Sequence, residues 1–223
     1  MGILQTIRSS QTIGKFFILY YAVGFVGLSL PATRELFIRL MPWSILGSMA
    51  LLMMFHRRWK FSHVGVILLI ALAGYLVEVV GVLTGLVFGE YSYQHALGLK
   101  VFDTPLMIGV NWAMLIYCVH AMLEDTGLPA VLKIITGAML MVGYDFILEP
   151  AAIRLSMWNW GGSAIPLQNY IAWFVISLVF LSVMRFSGMK TGNRLAPWLF
   201  WVQAAFFLLL NLSLRFLFPL ASI

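Results

Sequence analysis

The sequence predicts an all-α fold, a polytopic bundle of about seven transmembrane helices forming a single domain over residues 1–223. Three observations carry that expectation. Of the 223 residues, 62% are hydrophobic and only 10% are charged, against about 25% charged in an ordinary soluble domain. The apolar residues fall in runs near the ~20 that cross a bilayer, and a soluble core able to absorb them has no room to exist. The charges collect between the runs, where they fix topology.

Taken in order, the runs are Phe16–Pro31, Pro42–Phe55, Val64–Phe88, Pro105–Leu123, Pro129–Ala152, Leu167–Phe186 and Pro197–Phe218. The first follows Lys15 and stops at a proline, which ends or starts a helix. Pro42 is taken to open the second, and the Arg57-Arg58-Trp59-Lys60 cluster closes it. The third is unbroken apart from Glu78 and its glycines. The fourth, fifth and seventh each begin at a proline, a favoured first helical position. The sixth runs to Arg185 and Phe186.

Orientation follows from the Lys and Arg positions. Arg8, Lys15, Arg57, Arg58, Lys60, Arg185, Lys190 and Arg194 fall on one side, and the opposite connections carry Arg34, Arg39, Lys100 and Arg154. The bias places the N-terminus in the cytoplasm. The formal charge of +6 is thus a topological signal, since no basic face interleaved with exposed aromatics suits a nucleic-acid partner. Cys118, the single cysteine, has no disulfide or zinc spacing around it and reads as a small core hydrophobe. The first run is expected to stay as a helix, because no small-residue cleavage site follows it.

Polar groups inside the spans carry the chemistry. Most acids lie at helix ends, but Glu78, Asp145 and Glu149 do not. Intramembrane carboxylates are costly and mark functional sites. Asp145 and Glu149, four apart, share a helix face, and Glu78 shares one with Gly74, Gly81 and Gly85, small residues that let helices approach closely. At about 1.5 Å per residue, Glu78 lies ~15 Å, Asp145 ~11 Å and Asn111 ~9 Å below their outer helix ends. These four side chains are therefore expected to line one cavity in the outer half of the bilayer. Hydrogen bonding that merely stabilises the bundle is the plain alternative, and Arg154 is a possible ion-pair partner that would make Glu149 structural. Two outward connections, Gly89–Thr104 with Tyr91 and Tyr93, and Ile153–Pro166 with Trp158 and Trp160, supply aromatics that either line that cavity or form an interfacial belt. A carboxyl buried without a cation can stay protonated and serve as a Brønsted acid. Aromatic faces around it would stabilise a cation formed by protonating an alkene.

These residues give the chain its likeness. It resembles the CruF-type carotenoid biosynthesis family, integral membrane proteins known as carotenoid 1,2-hydratases. The likeness lies in Glu78 through Tyr93, with its acid, spaced glycines and terminal Tyr-x-Tyr. It continues in Pro105 through Asn111-Trp112, and from Asp145 through Glu149-Pro150, Trp158-Asn159-Trp160 and Pro166-Leu-Gln-Asn169 to Trp173. Together these cover about residues 74–173. The resemblance implies addition of water across the C1–C2 double bond of an acyclic ψ-end group, without redox cofactor, metal or nucleotide. It implies Asp145 or Glu78 as proton donor, the other carboxylate with Asn111 handling the water, and Glu149 as a further acid. Trp112, Tyr91, Tyr93, Trp158, Trp160, Asn169 and Trp173 would surround the substrate. Partners would be an acyclic or monocyclic carotenoid, water, membrane lipid and other carotenoid biosynthesis enzymes, with a prokaryotic plasma membrane as the location. Two places depart from the family pattern: Ser163-Ala164-Ile165 stands where a Tyr/Gly-rich segment is expected, and Ala172-Trp173 where Gly-Trp is. Both bear on substrate fit.

Rival readings remain open at this level. A membrane carotenoid cyclase would start from the same protonation. A small transporter or lipid-binding protein would use the acids as proton relays but favours inverted repeats, which are not evident. A diphosphate-using prenyltransferase needs clustered aspartates, and a retinal protein needs a lysine in its last helix, which Pro197–Phe218 lacks.

Overall fold

A computed structural model describes residues 10–162 and 164–217. Among them run seven helices: α1 (Ser10–Ser29), α2 (Pro31–Met54), α3 (Phe61–Thr84), α4 (Leu106–Glu124), α5 (Ala130–Arg154), α6 (Leu167–Phe186) and α7 (Ala196–Leu217). Six, α2 to α7, are long and apolar enough to cross a membrane, and the apolar part of α1, Gly14–Ser29, is shorter. Two short antiparallel ladders complete the fold: β1 (Tyr91–Tyr93) with β4 (Trp158–Trp160), and β2 (Lys100–Val101) with β3 (Thr104–Pro105).

The expected bounds need correction at the second and third helices. α2 starts at Pro31, not Pro42, and Pro42 lies inside it. Pro31 takes the first-turn position where a missing N–H costs nothing, so the residue read as the end of one helix opens the next. Pro42 is tolerated mid-helix, as prolines in membrane helices are, and it packs beneath Gly98, whose φ is +79°. α3 ends at Thr84 because Gly85, at φ +66°, caps it in the left-handed region. The helix ends nearest the ladders therefore shift. Glu78 lies ~9 Å, Asp145 ~14 Å and Asn111 ~8 Å from them.

α4 is the central helix, buried without a break from Trp112 to His120. α3 packs on it closely because Gly109 leaves room for the Ala71 carbonyl, where a Cβ would collide. α5 pairs with α6 and α1 with α7, while α3 and α6 touch only lightly. Cys118 is a free buried thiol in this core, in keeping with its expected role. At the end away from the ladders a polar network ties three connections together. Asn193 Nδ2 donates to the Tyr117 hydroxyl (3.1 Å) and the Leu52 carbonyl (2.8 Å), and His56 bridges Tyr117 and His63. Glu124 accepts from the backbone N–H groups of Thr191 and Gly192.

Candidate active site

The local sequence explains the cover over the site. Tyr91-Ser92-Tyr93 and Trp158-Asn159-Trp160 each alternate aromatic, polar, aromatic, which is strand periodicity. Paired antiparallel, Tyr91 lies opposite Trp160 and Tyr93 opposite Trp158. Paired residues share a face, so all four rings point inward while Ser92 and Asn159 are exposed.

Beneath them each carboxylate is held by uncharged donors. Glu78 Oε2 accepts from the hydroxyls of Tyr91 (2.6 Å) and Tyr93 (2.7 Å), and its Oε1 from the Trp112 indole (2.9 Å). Glu149 Oε2 accepts from the indoles of Trp158 (3.1 Å) and Trp160 (2.9 Å). Asp145 Oδ2 accepts from the Asn169 amide (2.7 Å), and its Oδ1 is buried with no partner among the described residues. Asp145 is wholly buried, Glu149 1% exposed and Glu78 3% exposed. Asp145 and Glu149 lie about one turn apart on α5. Burial, reinforced by the neighbouring Glu78 charge, pushes the Tyr91 and Tyr93 phenols above their ordinary range, which keeps both as donors.

The glycines on α3 make this possible. A Cβ on Gly74 would come 2.8 Å from the Trp112 Cβ, and one on Gly81 would come 3.1 Å from the Tyr91 hydroxyl and closer still to Phe88. The small residues flanking Glu78 thus admit two of its three donors. Trp112 stacks on Trp173 with centroids 4.3 Å apart.

Of the sequence-predicted residues, Glu78, Asp145, Glu149, Tyr91, Tyr93, Trp112, Trp158, Trp160, Asn169 and Trp173 belong to this one cluster. Two expectations are corrected. Arg154 does not pair with Glu149; it reaches the Asn211 carbonyl at 3.5 Å. Asn111 does not share a cavity with the carboxylates. One residue before Trp112 on α4, it points about 100° away from it, into an apolar cavity of about 190 Å³ that none of the three acids lines. The two spaces meet at Trp158, whose ring lines the cavity while its N–H binds Glu149. The polar groups of these aromatics turn inward, onto the carboxylates. Ser163, within one of the departures from the family pattern, lies outside the described residues.

Sequence reasoning missed the polar groups of that cavity. Tyr21, Tyr144 and Gln203 line it, and the only signal was a tyrosine or glutamine inside an apolar run.

A family model for carotenoid biosynthesis proteins matches residues 41–221. The chain is also similar to a bisanhydrobacterioruberin hydratase of Haloarcula japonica, 25% identical over 138 residues, which are 56% of this chain and 45% of the relative. The match thus spans less than half the length of that relative. No solved structure matches the chain.

Proposed function

The chain belongs to the carotenoid biosynthesis protein family, and from that premise we propose that it is a carotenoid 1,2-hydratase of the cell membrane. Its substrate would be a membrane-dissolved carotenoid with an acyclic ψ-end group. The observation that carries the reading is the set of three buried carboxylates whose hydrogen-bond partners are all uncharged donors. Such a set can keep a proton in an apolar setting and deliver it to an alkene.

In the proposed sequence Asp145 is the acid. Its Oδ2 is fixed by Asn169 and its Oδ1 has no hydrogen-bond partner among the described residues, so Oδ1 can present the proton. The C1–C2 π pair takes that proton at C2 and leaves a tertiary cation at C1. The stacked faces of Trp112 and Trp173 and the rings of Tyr93 and Trp158 suit that charge. Water then bonds to C1 and loses a proton. Glu149 is the proposed acceptor, one helical turn from Asp145, because its bonds to Trp158 and Trp160 both use Oε2. Glu78, engaged by three donors, holds the aromatic cover in place. A proton enters and a proton leaves, so the chemistry calls for no redox partner. The likeness to a protein named as a hydratase supports capture by water over capture by a second double bond.

Expression in a lycopene-producing host, followed by mass analysis of the pigments, tests the reading. The expected product carries the mass of one added water per modified end. A new ring at unchanged mass would overturn the hydratase assignment.

A further inference from the structure

The cavity beside the carboxylates has features that the proposed reaction does not use. It lies among α1, α2, α4, α5 and α7, and apolar side chains form most of its wall. Some of its polar atoms lack a partner among the described residues. The Tyr144 hydroxyl and the Asn111 amide have no hydrogen-bond partner among the described residues, although Tyr144 is 3% exposed. Gln203 donates to the Tyr21 hydroxyl at 2.6 Å, and its Oε1 is buried without a partner. Buried polar groups are normally satisfied, and exceptions call for a missing ligand or water.

The cavity also opens to the lipid side. Val23 and Leu40 line it and are 52% and 44% exposed on the outside of the bundle. An apolar groove of about 370 Å³ runs along α1 and α2 and shares Val23 and Phe37 with the cavity. A rod with an apolar body and an oxygen at its buried end matches this sequence of surfaces. The groove and the α1 and α2 residues of the mouth up to Leu40 precede the stretch matched by the family, which begins at residue 41, whereas Asn111, Tyr144 and Gln203 lie within it.

We propose that this cavity is a second binding site, for a linear isoprenoid whose inserted end bears a hydroxyl or carbonyl oxygen, admitted from the bilayer between α1 and α2. The inference rests on the isoprenoid reading above but not on hydration. Tyr144 and Asn111 hold the oxygen, and the groove holds the chain behind it.

The probes are geranylgeraniol and the C20 hydrocarbon that lacks its hydroxyl, titrated against the purified full chain in lipid nanodiscs by tryptophan fluorescence. The alcohol is expected to bind about tenfold more tightly than the hydrocarbon, and Tyr144→Phe and Asn111→Leu should each erase about fivefold of that preference. Val23→Trp, which fills the mouth from an exposed position, should weaken both probes alike. Val179→Ala, at an exposed position of α6 that does not line the cavity, should leave both affinities unchanged. Equal affinity for the two probes, no binding of either, or a preference untouched by Tyr144→Phe and Asn111→Leu would overturn the proposal. Alcohol-selective binding in a protein that hydrates no carotenoid would keep the cavity and refute the hydratase reading, so the two fail separately.

Discussion

Tyr93→Phe removes one oxygen from a buried cluster and tests whether the aromatic cover works through Glu78. The hydroxyl lies 2.7 Å from Glu78 Oε2, on a side chain that is 6% exposed. A hydrogen bond to a charged group contributes about 1.5–3 kcal/mol and a neutral one about 1 kcal/mol. Deleting the hydroxyl should therefore cost about 1.5–3 kcal/mol where Glu78 is a carboxylate. It should cost only about 1 kcal/mol in a Glu78→Gln background, where the acceptor is an amide. The expected coupling in the double-mutant cycle is thus about 0.5–2 kcal/mol, read from equilibrium unfolding in detergent micelles. Tyr91 stays on the same oxygen at 2.6 Å, so the carboxylate is never left bare and the single variant should fold. Additivity within about 0.5 kcal/mol would refute the claim that Tyr93 is held to Glu78, and with it the account of the cover.

Other expectations follow from the same geometry. Asp145→Asn and Glu149→Gln should each lower pigment turnover by about 10²- to 10⁴-fold, as loss of a general acid or base does, with membrane insertion unchanged by fractionation; near-normal turnover in both would leave the carboxylates structural. Gly109→Ala places a Cβ against the Ala71 carbonyl and should destabilise the α3–α4 contact by about 1–3 kcal/mol, seen as a lower unfolding midpoint; an unchanged midpoint would mean that the helices separate freely. With the N-terminus in the cytoplasm, a cysteine near Gly98 or Gly162 should react with an impermeant thiol reagent added outside and one near Arg58 should not. The reverse pattern would put the aromatic cover at the inner face.

Much of the site was legible because membrane physics makes polar residues conspicuous. Glu78, Asp145 and Glu149 stand out in apolar runs, and the four-residue spacing of the last two fixed their common face. The glycines around Glu78 announced a close approach, and Trp112 and Tyr91 are what approaches. The paired strands were signalled by two aromatic-polar-aromatic triplets, yet three residues are too few to separate a strand from a loop by pattern. Pro42 misled because a proline reads equally as a helix start or as a tolerated interruption, and tertiary packing against Gly98 decides. Asn111 was misplaced because depth alone was used. Its depth is comparable to that of Glu78, but the neighbouring Trp112 takes the face toward the acid. The network of His56, Tyr117 and Asn193 joins residues 137 apart along the chain (His56 and Asn193 at its extremes), and no local pattern reveals such a meeting.

The most direct test of the hydratase account is the fate of isotopic oxygen. Purified protein in lipid vesicles loaded with lycopene and suspended in ¹⁸O-labelled water should yield a tertiary alcohol carrying the label, without added NAD(P)H, flavin or molecular oxygen. A hydroxylated product lacking the label, or a cyclic product of unchanged mass, would contradict protonation by the buried carboxyl followed by capture of water.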